Sequence, residues 1–277
     1  MNVQADIATM VPGEEAGIAF LRRRGAQNGR TIVMLHGIGS NATSFMPLIE
    51  AMPARPDVVA WNAPGYGGSR PIIASHPTAA AYADALLRLI DALRLDRVVL
   101  LGHSLGCLFA ANFTARYPDR VAALALLSPA LGYRADPHQA APATVQNRID
   151  ELRQLGPRDF ADKRAARLIY RPETKPAVLA SVRSAMAAID PVGYMQAARA
   201  LGSGDLLADA AKLQPSTLVA VGAQDVVTPP ENARAVFDAL PHPAGYHEIA
   251  EAGHALPQED PKAVAGLLRE LVETTHG

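Results

Sequence analysis

A serine flanked by two glycines is the feature of this sequence that most directly suggests chemistry. Gly102, Ser104 and Gly106 stand in the pentapeptide GHSLG, which follows the apolar run Val98 to Leu101 and precedes the helical run Leu105 to Tyr117. A strand, tight turn and helix in this order hold a nucleophilic serine with its hydroxyl exposed, and glycines avoid collisions with neighbouring backbone. Ser104 is therefore a candidate nucleophile.

A serine hydroxyl is a weak nucleophile and needs a base that a third group orients. Asp225 follows the apolar run Leu218 to Val221, and His254 follows the strand candidate Tyr246 to Ile249. The order serine, acid, histidine is the chain order that this kind of turn accompanies. We expect His254 to accept the proton of Ser104 and Asp225 to orient the imidazole.

Other ionisable residues fit these roles less well. Asp205 and Asp209 precede the apolar run Leu218 to Val221 rather than follow it. His247 lies within a strand pattern, where a structural role is the simpler interpretation. The single cysteine, Cys107, is expected in the core. One thiol excludes an intrachain disulfide and a cysteine-cluster metal site, and we expect no metal.

Short apolar runs bounded by glycine and proline alternate with amphipathic helical patterns. The strand candidates are Thr31 to Leu35, Val58 to Trp61, Val98 to Leu101, Val121 to Leu127, Leu218 to Val221 and Tyr246 to Ile249. Helical spacing of apolar residues runs from Tyr82 to Leu93 and from Val264 to Val272. This alternation predicts an α/β fold with a mostly parallel sheet covered by helices on both faces.

The alternation stops between Leu131 and Lys212, a stretch with many prolines and no comparable apolar run. We interpret 131–212 as a helical lid inserted into a core formed by 1–130 and 213–277. Arginines of the insertion could bind a substrate carboxylate, because a guanidinium matches its geometry. Its apolar residues could wall a small pocket: Leu168, Ile169, Tyr170, Met186, Ile189, Tyr194 and Met195.

From about Thr31 onward, these motifs resemble the α/β-hydrolase fold family. The segment His36-Gly37-Ile38-Gly39 resembles the loop that provides an oxyanion-hole donor in that family, so the resemblance assigns the two donors to the backbone N–H groups of Ile38 and Leu105. His36 itself is expected to brace the loop. The resemblance implies no cofactor.

A second stretch of the same family is D-x-P-G-x-G-x-S, which 62–69 resembles with Asn62 in place of aspartate. We expect this change to affect the bracing of loops rather than the chemistry.

The resemblance leaves several activities open, because one fold hosts many functions. Haloalkane dehalogenases and most epoxide hydrolases of this fold use aspartate where this chain has Ser104. Carboxylesterases and enol-lactone hydrolases use the serine triad, and we favour a small or medium ester or lactone. Carbon–carbon bond hydrolases of ring-cleavage products are the alternative, but they usually carry an aromatic residue after the histidine, where this chain has Ala255. A non-catalytic ligand receptor is a further alternative, which a missing triad residue would favour.

The composition and net charge do not favour a nucleic acid or a membrane as a partner. The chain has 277 residues, 49% of them hydrophobic, and a formal net charge of −1, which favours neither nucleic acid nor an anionic membrane as a partner. Met1 to Glu15 lacks the basic and apolar regions of a signal peptide, and no apolar stretch is long enough to span a bilayer. We expect a cytoplasmic protein that acts on a small molecule.

Overall fold

One mixed sheet organises the molecule. The computed structural model describes residues 10–25, 30–52 and 56–273, so the expectation for Met1 to Glu15 lies partly outside the described residues. Within these ranges the strands are β1 (Val11–Glu15), β2 (Ile18–Arg23), β3 (Ile32–Leu35), β4 (Val58–Trp61), β5 (Val98–His103), β6 (Val121–Leu127), β7 (Ser216–Gly222) and β8 (Pro243–Ile249). They pair in the order β1-β2-β4-β3-β5-β6-β7-β8.

Only β2 pairs antiparallel, with β1 and with β4, and the other pairs of this sheet are parallel. The predicted α/β fold with a mostly parallel sheet is therefore confirmed. The hairpin of β1 and β2 was not predicted, because most residues of β1 are exposed and Pro12 and Gly13 interrupt any apolar run. Strand β8 begins at Pro243, before its apolar residues, since an edge strand tolerates proline.

Helices cover both faces of the sheet. They are α1 (Met46–Ala51), α2 (Ala79–Ala92), α3 (Leu105–Arg116), α4 (Ala143–Arg164), α5 (Pro176–Ala187), α6 (Pro191–Ser203), α7 (Leu206–Ala210), α8 (Pro230–Ala239), α9 (Leu256–Glu259) and α10 (Pro261–Glu273). Side chains alternate along β3: Val33 and Leu35 pack with α2 and α3, whereas Ile32 and Met34 pack with α1 and α10. The described helices include none with the length and apolar character needed to cross a bilayer.

The chain between β6 and β7, which is described throughout, forms helices and turns but no strand. It contains α4 to α7, and α4 is interrupted at Gly156, where φ is 72° and Pro157 follows. Glycine and proline together explain this kink, because glycine adopts positive φ readily and proline cannot donate to the preceding turn. The helical character agrees with the sequence, and the division into core and lid remains a prediction.

Candidate active site

The carboxyl ends of three parallel strands bring Ser104, Asp225 and His254 together. Ser104 follows β5, Asp225 follows β7 and His254 follows β8. The Nε2 atom of His254 lies 3.0 Å from Ser104 Oγ, and its Nδ1 atom lies 2.8 Å from Asp225 Oδ2. All three residues are buried. The result is one continuous chain of hydrogen bonds from a hydroxyl, through an imidazole, to a carboxylate.

Close backbone packing explains the glycines around Ser104. Ser104 has φ 55° and ψ −116°, a conformation that L-residues rarely adopt, and its N–H donates to Leu127 O at 2.9 Å. A Cβ atom on Gly102 would lie 2.6 Å from the oxygen of Gly106, and one on Gly106 would lie 2.0 Å from the oxygen of Leu35. The tight turn therefore depends on both glycines, and α3 begins directly after the serine.

His254 and two backbone donors together keep Asp225 ionised. Its Oδ1 atom accepts the N–H groups of Val227 at 2.8 Å and Thr228 at 2.9 Å. Burial by itself raises the pKa of Asp225, but the charge of His254 and these hydrogen bonds outweigh it and lower the pKa to about 2. Asp225 is thus a carboxylate at neutral pH, and it accepts the Nδ1–H of His254.

Thr228 is a site residue that sequence reasoning missed. Its Oγ1 atom lies 3.0 Å from Asp225 Oδ2, 3.1 Å from His254 Nδ1 and 2.9 Å from the carbonyl oxygen of Ser128. The available signal was a threonine three residues beyond Asp225, where the turn after β7 can bring it back to the carboxylate. Its hydroxyl lies between the carboxylate and the end of β6, and its single hydrogen can be donated to either oxygen.

His103 is the second such residue, although it stands within GHSLG itself. Its Nε2–H donates to the carbonyl oxygen of His254 at 2.7 Å, and the two ring centroids are 5.2 Å apart. Burial, with a smaller effect from the charge of His254, lowers the pKa of His103 to about 3. A neutral His103 therefore connects the turn that contains Ser104 to the backbone of His254.

The loop after β3 passes directly over Ser104. A Cβ atom on Gly37 would lie 2.8 Å from Ser104 Cβ. His36 braces the loop as expected, because its Nδ1–H donates to Gly37 O at 2.8 Å and its Nε2 accepts the N–H of Ala63 at 3.0 Å. Burial lowers the pKa of His36 to about 4, although the hydrogen bond to Gly37 opposes this shift. A neutral His36 fits both contacts.

Asn62 holds neighbouring loops together, in agreement with the role expected for it. Its side chain accepts the N–H of Ala42 at 2.9 Å and donates to Gly67 O at 3.2 Å. Its backbone oxygen accepts the hydroxyl of Ser69 at 2.7 Å. An amide can make the donating contact, which an ionised aspartate at this position could not.

A family model described as the alpha/beta hydrolase fold matches residues 30–261. The chain belongs to the α/β-hydrolase fold family.

Relatives of similar identity carry different names. The chain is 26% identical to a Caulobacter vibrioides protein assigned as a carbamate hydrolase, over 95% of this chain and 98% of the relative. It is also 26% identical to the 2-hydroxy-6-oxo-2,4-heptadienoate hydrolase of Pseudomonas putida, over 98% of each. Among solved structures, an esterase from Thermogutta terrifontis with malate bound has a TM-score of 0.83 and 26% identity, covering 98% of this chain and all of that one. Equal similarity to three named activities leaves the substrate open.

In this α/β hydrolase, a cavity of about 680 Å³ opens onto Ser104 and His254. Ile38 and Leu105 also line it, and the N–H of Leu105 has no acceptor within α3 because this residue begins the helix. The side chains that the insertion contributes are Leu131, Tyr133, Thr144, Arg148, Glu151, Phe160, Lys163, Arg164, Arg167, Leu168, Met186, Tyr194 and Leu201. The ends of the strands therefore form the floor of the cavity, and the helices between β6 and β7 form its roof.

Three of the seven apolar residues expected to wall the pocket line this cavity: Leu168, Met186 and Tyr194. The others pack elsewhere. Ile169 packs with Val182, Met195 packs with Val145 and Ile149, Ile189 lies in the main core, and Tyr170 stacks under basic side chains. Helical spacing identifies apolar residues but does not distinguish a cavity wall from a packed interior.

Proposed function

We propose that this protein is a serine hydrolase that cleaves a small or medium carboxylic ester or lactone through an acyl-enzyme on Ser104. The observation that carries the proposal is the hydrogen-bonded chain from Ser104 through His254 to an ionised Asp225, at the floor of a cavity.

In the first half-reaction, Ser104 Oγ attacks the carbonyl carbon and His254 Nε2 takes the hydroxyl proton. Asp225 holds the Nδ1–H and stabilises the imidazolium that forms. The tetrahedral intermediate then expels the alcohol oxygen, which receives the proton from His254. The product is an acyl-serine and a free alcohol, or one ring-opened chain still bound to Ser104 when the substrate is a lactone.

In the second half-reaction, His254 takes a proton from water, and the hydroxide attacks the acyl carbon. Collapse of the new intermediate releases the carboxylic acid and returns the proton to Ser104. The negative oxygen of each intermediate needs donors, and we assign them to the N–H groups of Ile38 and Leu105. Their place beside Ser104 in the cavity supports this assignment.

The cavity supports a small or medium acyl group. Its volume of about 680 Å³ falls within the range of about 300–1,000 Å³ that small-molecule sites occupy. The test is a chain-length series of p-nitrophenyl esters. We expect kcat/KM to reach a maximum and then fall. A preference that rises beyond about ten acyl carbons would contradict a small pocket, since each enclosed methylene can contribute about 0.8 kcal/mol.

Carbon–carbon bond hydrolysis is the second candidate, and the full-length similarity to the Pseudomonas putida heptadienoate hydrolase favours it. The residue after His254 is Ala255, which does not supply the aromatic group expected of such enzymes. A vinylogous 1,5-diketone tested beside an enol-lactone and an ester separates the two. Faster turnover of the diketone would replace the ester assignment.

A ligand receptor on this fold would not turn over. The test is a time course with a chromogenic ester at a known enzyme concentration. We expect product to exceed the enzyme many-fold, and Ser104→Ala to lower kcat by on the order of 10⁴. Release that stops at one equivalent would support a receptor.

A further inference from the structure

We propose that Arg148 forms a carboxylate-binding subsite in the substrate cavity, so that the preferred substrate carries a second, free carboxylate on its acyl side. This inference rests on the proposed ester or lactone hydrolysis and names the substrate class for it.

One face of α4 supplies the polar wall of the cavity. Thr144, Arg148 and Glu151 follow one another at spacings of four and three residues, and all three line the cavity. The neighbouring positions Val145 and Ile149 are buried instead against α6, where they pack with Ala198. This packing fixes the rotation of the helix and points the Thr144–Arg148–Glu151 face toward the cavity.

The charges on this wall are unequal. Four basic side chains line the cavity (Arg148, Lys163, Arg164 and Arg167) against the single carboxylate of Glu151 among the lining residues. Glu151 already has two partners, because Lys163 Nζ lies 2.6 Å from Oε1 and Arg164 Nε lies 2.6 Å from Oε2. The guanidinium of Arg164 also lies over the ring of Phe160.

The remaining arginines differ in exposure. Arg167 is exposed and donates to the backbone oxygen of Val226. Arg148 is partly buried, and no carboxylate of the described residues lies within ion-pair distance of it. Arg148 is therefore the enclosed cation of this cavity whose charge is not compensated by the protein.

A chain of contacts connects Arg148 to the reacting end of the cavity. Tyr194 is buried, and burial raises the pKa of its hydroxyl, whereas the positive charge of Arg148 nearby lowers it. The ring of Tyr194 packs on the loop after β3, where a Cβ atom on Gly39 would lie 3.7 Å from it. Gly37 of the same loop packs closely against Ser104. A substrate whose carbonyl meets Ser104 beneath this loop would extend its acyl chain toward Arg148.

A carboxylate suits this position physically. A guanidinium donates two parallel N–H hydrogen bonds to the two oxygens of a carboxylate, which makes the pair directional as well as strong. Enclosure by Met186, Phe160 and Tyr194 reduces the screening by water that weakens exposed pairs. A neutral acyl chain would leave the charge of Arg148 without a partner inside the filled cavity.

The experiment compares two esters that differ only in charge: mono-p-nitrophenyl adipate and p-nitrophenyl 6-methylheptanoate, in which an isopropyl group replaces the carboxylate. We expect wild type to prefer the adipate in kcat/KM. Arg148→Met keeps an unbranched apolar stem but removes the guanidinium and its charge, so the adipate-to-heptanoate ratio should fall about ten- to a hundred-fold, mainly through the KM of the adipate.

The matched control is Arg153→Met, an exposed arginine of the same helix that pairs with Asp150 and does not line the cavity. Its ratio should equal that of wild type. Arg148→Lys should lie between wild type and Arg148→Met, since it keeps the charge but loses the fork. Free adipate should inhibit wild type competitively and Arg148→Met at least ten-fold more weakly, which measures binding without turnover.

The outcomes separate this inference from the proposed function. Equal use of both esters by wild type, or an unchanged ratio in Arg148→Met with normal circular dichroism, would overturn the carboxylate subsite while leaving the serine hydrolase intact. Absence of hydrolysis of either ester, together with no reaction of Ser104 with a fluorophosphonate, would overturn both.

Discussion

At the scale of single residues, the site is a set of buried polar groups that satisfy one another. Asp225 receives two backbone N–H groups and the imidazole, and Thr228 spans from this carboxylate to the end of β6. Partners of this kind reduce the freedom of the imidazole, which must face the serine in one tautomer. We therefore expect Asp225 and Thr228 to orient the histidine rather than to react themselves.

Asp225 and His254 should act as a unit. Asp225→Asn would leave the imidazole with the wrong tautomer, and the expected loss in kcat is on the order of 10⁴. Because His254→Ala removes the group that Asp225 orients, the double variant should be little worse than His254→Ala alone. Steady-state kinetics of the three variants provide the test, and losses that multiply would show that Asp225 acts independently.

Thr228 should have a smaller effect, because the backbone donors to Asp225 remain without its hydroxyl. Thr228→Val preserves the shape and removes one hydrogen bond, for which about 1 kcal/mol, or roughly a five-fold loss in kcat, is expected. Thr217→Val is the matched comparison for the same chemical change, because Thr217 is also buried but its hydroxyl donates to Pro215 O, outside the site. A loss as large as that of Asp225→Asn would mean that Thr228 takes part in proton transfer.

At the scale of elements, the strand ends and the turns after them position the chemistry. The sequence alone predicted the central strands and the residues that follow them, because strands buried on both faces, such as Ile32–Leu35, are continuous apolar runs. It did not predict the exposed strand β1 or the kink of α4 at Gly156. Thr228 and His103 were missed for another reason: the hydrogen bonds from Thr228 to Ser128 and from His103 to His254 join segments distant in sequence, which leave no periodic pattern.

The glycines of the nucleophile turn provide a test at this scale. Gly106→Ala would place a methyl group against Leu35 O, so we expect the free energy of unfolding to fall by on the order of 3 kcal/mol and activity to fall with it. Gly266→Ala is the control, because a Cβ atom there meets nothing within 4 Å and the residue lies inside α10.

Removing a glycine from a helix interior stabilises it by about 0.5–1 kcal/mol, so Gly266→Ala should unfold at higher denaturant concentration than wild type. Denaturant unfolding of both variants measures the difference. Equal stability of the two variants would contradict the close packing between α3 and the loop after β3.

At the scale of the whole molecule, the ends of the strands form the floor of the cavity, and the segment between β6 and β7 forms its roof. The floor also contains two buried neutral histidines, His36 and His103, whose pKa values of about 4 and about 3 lie below the ordinary 6.5. Two such residues connect the pH of the solution to the stability of the site.

The sign of this dependence follows from proton binding. Below about pH 6.5 the unfolded chain protonates both histidines but the folded protein does not, so the free energy of unfolding should fall as the pH decreases from 6.5 toward 4. At pH 5 the loss is on the order of 2 kcal/mol for each histidine. The pKa of Asp225, about 2, makes a separate contribution that is lost only below about pH 4.

Denaturant unfolding at pH 7 and pH 5 measures this effect. His103→Gln keeps a donor toward His254 but does not titrate, so its stability should depend less on pH than that of wild type. His138→Gln is the control, because it makes the same substitution at an exposed histidine. An unchanged pH dependence in His103→Gln would contradict a neutral buried His103.

The central claim is that Ser104 is the nucleophile, and covalent labelling tests it most directly. A small fluorophosphonate should add one equivalent to wild type, and peptide mass mapping should locate it on Ser104, while Ser104→Ala should take up none. Label on another residue of the wild-type protein, or equal labelling of Ser104→Ala, would contradict the account.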